Sequence, residues 1–281
     1  MTSVCIPAYN EENTIATLLQ VLEHTDVEEV LVCANGCTDA TADVAAEFPH
    51  VRVIEEDHAS KTHAWNRLVS EAVGERLVFF DADIRPDPDC VDGLVDTLDT
   101  HSLAGARIQW VSRDDTWQNR LAAYISNPMA DDTILGGAYG LYREDVILRM
   151  NRAGYRYMPP VVADDGFIAS LYKEHEMRIC DAVAYHPAPG LHEYAVVQAR
   201  RNLGVQELER YPGLHSRSHG VQKVWRKLRK GGARGVLRYA ARTIYNRILQ
   251  EEMQEKRAMV AADLAAGENI LATSARACRN I

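Results

Sequence analysis

Two pairs of carboxylates stand out by type and spacing. In "LVFFDAD" the apolar run Leu77 to Phe80 ends in Asp81 and Asp83. An apolar run without alternation reads as a strand covered on both faces, and side chains two apart on an extended segment project to the same side. Two carboxylates aimed at one point repel unless a cation sits between them or one is protonated. A hard divalent ion, Mn2+ or Mg2+, takes such oxygens and fills its shell with water and phosphate oxygens. Asp81 and Asp83 are therefore candidate metal ligands, with a solvated turn pair as the alternative. The second pair, Asp164 and Asp165 in "VVADDGFIASLYKE", opens a helical stretch. A carboxylate there can act as a general base or can serve only the helix N-terminus. His186, after "MRICDAVAY", is a candidate third metal ligand or a loop residue before Pro187. Gln198 and Arg201 share one helix face at i, i+3. They suit a diphosphate, which Arg can grip with two hydrogen bonds, or form a solvated basic face.

Strand-like and helical runs alternate around these residues. "SVCIPA" precedes a helix from about Glu12 to Glu23; "EEVLVCA" precedes one from Thr38 to Glu47. "VRVIEE" leads to a helix from about Ser60 to Ala72, and "RLVFFD" to one from about Asp89 to Leu98. Four such units predict a mostly parallel sheet with helices on both faces, and ligands of such sheets sit at the carboxyl ends of the strands. "PAYNEE", "ANGCTDAT", "EEDHASK" and "DADIRPD" all fall on that rim. Farther on, "LAGARIQWV" and "MRICDAVAYH" read as strands, "GGAYGLYRED" as a glycine loop into a short strand and helix, and everything beyond about Gly190 as helical. There, Val221, Val224, Trp225 and Leu228 form one apolar stripe. After Gly231-Gly232 a second stripe holds Leu237, Ala240, Ala241, Ile244, Tyr245 and Ile248.

The net charge of −9 conceals an asymmetry. Residues 1–197 hold 14 Lys+Arg and 33 Asp+Glu, a balance of −19; residues 198–257 hold 15 and 5, a balance of +10. An acidic body with a basic C-terminal segment fits a surface that meets phosphates or an acidic leaflet, not a protein that coats nucleic acid. No apolar run approaches the roughly 20 residues that cross a bilayer, and no basic leader opens the chain. The expected location is cytoplasmic, with a peripheral position on the inner face of the membrane as the variant. The six cysteines, Cys5, Cys33, Cys37, Cys90, Cys180 and Cys278, lack a disulfide framework and read as buried reduced thiols.

An ordered set of segments over about residues 3 to 205 resembles the family 2 glycosyltransferases of the GT-A fold. "VCIPAYNEENTI" resembles their first strand and loop, "VLVCANGCTDAT" their second, "SKTHAWN" their Lys-x4-Asn helix start, and "GERLVFFDAD" their metal-binding D-x-D. "GGAYGLYRED" resembles their acceptor-side glycine loop, "ADDGFIASLY" their base-bearing helix, and "QARRN" a reduced Q-x-x-R-W. The resemblance implies that Pro7, Ala8, Tyr9 and Glu11 line the base and ribose, with Asn35 and Asp39 from the next loop. It implies that Lys61 approaches the phosphates or the base pocket, that Asp83 ligates metal and that Asp81 contacts ribose or metal, with Ala82 between them. It makes Asp165 the general base, with Asp164 in place of the usual Glu beside it. Two departures matter. Asn35 stands where many members carry an Asp that reads uracil, and an amide offers donor and acceptor alike, so UDP, GDP and dTDP all stay open. Asn202 replaces the Trp, and no membrane span follows, which argues against a processive synthase.

The expected molecule is thus a GT-A domain over residues 1–210, Rossmann-like with a mixed, mostly parallel sheet, and a basic amphipathic helical extension over 211–281. The expected activity is metal-dependent inverting transfer of one sugar from a nucleotide-diphosphate sugar to a small-molecule or lipid-linked acceptor. The C-terminal helices would meet an anionic membrane surface or a second copy of the chain. A sugar-1-phosphate nucleotidyltransferase is a rival reading, although "IPAYNEEN" stands where a glycine-rich phosphate loop is needed; a non-catalytic nucleotide-sugar-binding scaffold is another.

Overall fold

The computed structural model describes residues 1–127, 135–190 and 193–214, with 237, 239–247, 250, 254, 258 and 261, the last set all helical. Strand β1 (Thr2–Ala8), helix α1 (Ile15–Leu22), β2 (Glu29–Asn35), α2 (Thr41–Ala46), β3 (Val51–Glu56), α3 (Lys61–Glu71) and β4 (Arg76–Phe80) follow the expected alternation. Then come a two-residue β5 (Arg85–Pro86), α4 (Cys90–Leu98), β6 (Leu103–Val111), α5 (Trp117–Ser126), β7 (Ala138–Tyr142) and α6 (Arg143–Arg152). They are followed by α7 (Asp164–Ser170), β8 (Met177–Pro187) and α8 (Tyr194–Leu208).

These strands form one sheet in the order β3-β2-β1-β4-β7-β6-β8-β5. The first four are parallel. β7 enters antiparallel to both β4 and β6, and β8 runs parallel to β6. That reversal is decisive for the site. Ala138, at the start of β7, pairs with Phe80 at the end of β4, and Trp110 pairs with His186 at the ends of β6 and β8. Strand ends far apart in the chain therefore meet on one rim.

The period of two explains the unbroken apolar strands. Val4, Ile6, Val30, Val32, Val78 and Phe80 face the side packed by α1, α2 and α4. Cys5, Leu31, Cys33, Leu77 and Phe79 face α3, α6 and α7 on the other. Each large apolar side chain buried this way contributes about 1.5–3 kcal/mol. Cys5, Cys33, Cys90 and Cys180 are free and buried, as expected, and Cys37 is half-buried; Cys278 lies outside the described residues.

Among the described residues no helix is long and apolar enough to cross a membrane. The stripe Val221 to Leu228, the glycine pair after it and Ile248 also lie outside them. Of the second stripe, Ala241 and Tyr245 are half-buried, whereas Leu237 (64% exposed) and Ile244 (60%) point outward. The inward contact is polar: Arg242 donates to the Ile125 carbonyl at 2.8 Å and the Asn127 carbonyl at 2.7 Å. Beside it, Tyr245 meets Tyr194 edge-on at 5.4 Å.

Candidate active site

The loops after β1 and β2 are stitched to each other. The Thr38 amide donates to Asn10 Oδ1 at 2.8 Å, and Asn10 Nδ2 donates to Thr38 Oγ1 at 3.2 Å. The Glu11 amide donates to Thr41 Oγ1 at 2.7 Å, the Glu12 amide to Asp39 Oδ2 at 3.2 Å, and the Ala40 amide to Glu12 Oε2 at 3.0 Å. Asp39 also accepts from the Thr41 amide at 3.1 Å. Both its oxygens are therefore used within the protein, and burial is outweighed by these donors, which hold its carboxyl below the usual range. Pro7 and Ala8 are buried at the end of β1, and Tyr9 and Glu11 are half-buried just beyond it.

Asn35 is 1% exposed. Its Nδ2 donates to the Ala8 carbonyl at 2.6 Å, leaving Oδ1 buried without a partner. The carbonyl neighbour gives a physical reason for the amide here: an ionised Asp would set like charge against that oxygen.

The D-x-D carboxylates converge, but for a different reason from the one read in the sequence. β4 ends at Phe80, and Asp81 to Asp83 lie in a turn closed by the Ile84 amide on the Asp81 carbonyl at 3.1 Å. Strand alternation therefore does not align them; the turn does. It sends the Ala82 methyl into the core (4% exposed), leaving only its backbone for a ligand. Asp81 and Asp83 keep 26% and 27% of their side-chain surface, so an ion could reach both. Gly137, with φ +79, makes this possible: a Cβ there would collide with the Asp81 carboxylate, and a left-handed φ favours glycine. The Asp81 amide also donates to the Gly137 carbonyl at 2.7 Å.

His186 completes a group. Ligand atoms of Asp81, Asp83 and His186 all lie within 4.8 Å of one another, with His186 Nε2 3.6 Å from Asp83 Oδ1. The two carboxylates suit a hard ion such as Mn2+ or Mg2+, and the imidazole offers a nitrogen ligand beside them. The His186 ring lies 4.1 Å from the Trp110 ring, over which the Arg201 guanidinium also sits at 5.2 Å. Arg201 is exposed and Gln198 half-buried on α8.

Across this group stands the start of α7. Asp164 does not cap its helix; its Oδ2 lies 3.1 Å from Lys61 Nζ, and the same ammonium lies 2.7 Å from Asp81 Oδ1. Asp165 Oδ1 accepts the Gly166 amide at 2.7 Å. Lys61 is in the first turn of α3 because Ser60 caps it, accepting from the His63 amide at 3.3 Å. It thus bridges two carboxylates instead of reaching outward.

Charges follow this geometry. Burial opposes the Lys61 ammonium, but Asp164 and Asp81 outweigh it and raise its pKa. Burial pushes Asp81 up, and the Lys61 charge more than reverses that. Asp83 ends above the usual range because burial and the Asp81 charge exceed the help from His186. Asp164 is also raised, by burial first and then by Asp165 and Asp81 against the pull of Lys61. Glu11 is pushed up to about 7 by burial, with Asp83, Asp81 and Asp39 adding to it against the Thr14 hydrogen bond.

The loop before α7 hangs on distant residues. The Val162 amide donates to Glu207 Oε2 at 2.7 Å. Asn66 and the Met158 backbone exchange hydrogen bonds of 2.8 and 2.9 Å. A Cβ on Gly204 would lie 2.7 Å from the Ala163 Cβ, so α8 approaches the loop closely only with glycine there. Glu207, Gly204 and Trp110 were missed by sequence reasoning, since nothing in their local spacing announces these partners.

Sequence comparison bears on the same residues. The profile described as glycosyl transferase family 2 matches residues 3–151, more than half of the chain. The chain belongs to glycosyl transferase family 2. The family match takes in the loops of β1 and β2, Lys61 and the D-x-D turn, and it stops before Asp164, Asp165, His186 and α8.

Among family relatives, the Escherichia coli K12 protein "Uncharacterized glycosyltransferase YibD" is 27% identical over 175 residues, covering 53% of this chain and 50% of that protein. Glycosyltransferase AglD of Haloferax volcanii is 35% identical over 108 residues, 34% of this chain and 17% of that one. The chain thus spans half the length of the first and less of the second. Among solved structures, glucosyl-3-phosphoglycerate synthase from Mycobacterium tuberculosis in complex with Mn2+ and uridine-diphosphate-glucose is 23% identical, with a TM-score of 0.54. That likeness covers 77% of this chain and 80% of that one. It shows the fold: a GT-A sheet flanked by helices with a further helical part.

Proposed function

We propose that this family 2 glycosyltransferase moves a single sugar, with inversion and in a metal-dependent reaction, from a nucleoside diphosphate sugar to an acceptor hydroxyl. The observation that carries the reading is the arrangement across Lys61: Asp81, in the group with Asp83 and His186, on one side and the Asp164-Asp165 pair on the other. Asp81, Asp83 and His186 would hold Mn2+ or Mg2+, which when bound supplies positive charge for the departing nucleoside diphosphate. Asp165 would accept the acceptor's proton as its oxygen bonds to the anomeric carbon, while the bond to the diphosphate breaks and its electron pair leaves with the phosphate. Asp164, tied to Lys61, would keep the first turn of α7 in place. Pro7, Ala8, Tyr9, Glu11 and Asn35 would surround the nucleoside; Gln198 and Arg201 would face the diphosphate.

The Mn2+ and UDP-glucose complex of the mycobacterial fold neighbour supports this donor class. Its complex with phosphoglyceric acid supports a small-molecule acceptor. The division into a catalytic domain over 1–210 and an extension over 211–281 belongs to the same proposal; the contacts of Arg242 and Tyr245 support an extension seated on α5 and α8.

The test is to incubate the full chain with UDP-, GDP- and dTDP-sugars, with Mn2+ or with a chelator, and to follow nucleoside diphosphate release and the anomeric configuration of the product by proton NMR. Metal-dependent release that disappears in Asp83→Ala, with an inverted product, is expected. No metal-dependent release from any donor, or retention of configuration, would overturn the proposal.

A further inference from the structure

Lys61 is the link that donor binding and base chemistry do not by themselves require. Its Nζ is 2.7 Å from Asp81 Oδ1 and 3.1 Å from Asp164 Oδ2, and Asp81 belongs at the same time to the group of Asp81, Asp83 and His186. One carboxylate is thus offered both to an ammonium and to a metal. Neither cation gains the other's company: like charges this close repel more strongly in a partly buried site than in water, and a divalent ion doubles the effect. Lys61 cannot simply leave, because the Ser60 cap fixes the first turn of α3 and Asp164 holds the ammonium from the other side. A diphosphate changes the balance, since it adds negative charge to the place where both cations meet.

We propose that Lys61 is a built-in counter-ion that keeps the Asp81, Asp83 and His186 group from binding a divalent metal tightly on its own, so that tight metal binding requires a nucleoside diphosphate. The proposal rests on the reading of these three residues as metal ligands. Loading the donor side then leaves Lys61 to Asp164, so the occupancy of one side of the site is felt at the base on the other. Lys61 is in this sense a positioning residue.

The experiment is a titration of the metal-free full chain with Mn2+, following free Mn2+ by electron paramagnetic resonance, with and without UDP or GDP. It compares wild type with Lys61→Met, Asp164→Asn and Asp83→Asn, each checked for folding by circular dichroism. Lys61→Met should bind Mn2+ alone about tenfold more tightly than wild type, and should gain less from added nucleotide. Asp164→Asn should bind Mn2+ alone severalfold more weakly, because Lys61 then rests on Asp81 only; this variant carries the test if Lys61→Met does not fold. Unchanged Mn2+ affinity in both, with binding still lost in Asp83→Asn, would overturn the role of Lys61 and leave the metal site standing. Mn2+ binding that survives Asp83→Asn would overturn the metal reading, and the proposal with it.

Discussion

The two sides of the site are held by different kinds of bond. On the proposed donor side, the loops of β1 and β2 are joined by hydrogen bonds between residues no more than about 30 positions apart, such as Asn10 with Thr38 and Glu12 with Ala40. Parallel strands with their own following helices support them. On the side of the proposed base, the start of α7 is held by residues from elsewhere: Glu207 on the Val162 amide, Asn66 on Met158, and Gly204 against Ala163. The family profile ends between the two, at residue 151. The β1 and β2 loops are thus built from neighbouring units, whereas the start of α7 is placed by the whole fold; Lys61 joins that start to the D-x-D turn through Asp164 and Asp81.

The comparison breaks most visibly at the metal. Asp83→Ala should lower transfer by about 10³-fold or more, since a bound metal supplies several kcal/mol; activity within tenfold of wild type, measured as nucleoside diphosphate release, would remove Asp83 from the site. Next, Asp165→Asn should lower kcat by about 10²–10⁴-fold while the donor KM stays nearly constant, and Asp164→Asn should do less. The reverse order in steady-state kinetics would exchange their roles.

Smaller effects sharpen the contrast. Glu11 is pushed up to about 7 by burial and neighbouring carboxylates, so the folded state holds a proton that the unfolded state releases near the ordinary Glu value. Its contribution is full below that ordinary value and is lost as pH rises through about 7. Between pH 5 and 8 the wild type should therefore lose about 1–2 kcal/mol that Glu11→Gln does not, as read by urea unfolding; parallel curves would contradict it. On the other side, Glu207→Ala should cost about 1 kcal/mol through the unpaired Val162 amide, and should reduce kcat without weakening nucleotide binding measured by calorimetry. Weakened nucleotide binding would mean the two sides are not separable.

Much of the β1 to β4 half of the sheet was legible in the sequence. The four alternating units appeared as apolar runs followed by helical spacing, and the helices formed within a few residues of where they were read. The strands lacked alternation because both faces are covered, as Val78 and Phe80 on one side and Leu77 and Phe79 on the other now demonstrate. The spacing of Asp81 and Asp83 points to a convergent pair, but it is a turn and the bare Gly137, not strand alternation, that bring the two carboxylates together.

The remainder depended on pairings that no local pattern encodes. His186 could be read from the sequence only as one of two things, and it becomes a partner of Asp83 because β8 runs parallel to β6 in a register that sets Trp110 opposite it. Lys61 is expected to approach the phosphates or the base pocket, and the fold sets its ammonium between Asp81 and Asp164. The apolar stripe at the C-terminal helix turned Leu237 and Ile244 outward while Arg242 found carbonyls on the body. By itself the sequence determined which residues could do chemistry and which strands must be buried, because residue type and short-range period act within a few positions. Tertiary structure alone decided which of those residues meet, because the antiparallel β7 and the close approach of α8 to the loop before α7 join segments separated by tens of residues.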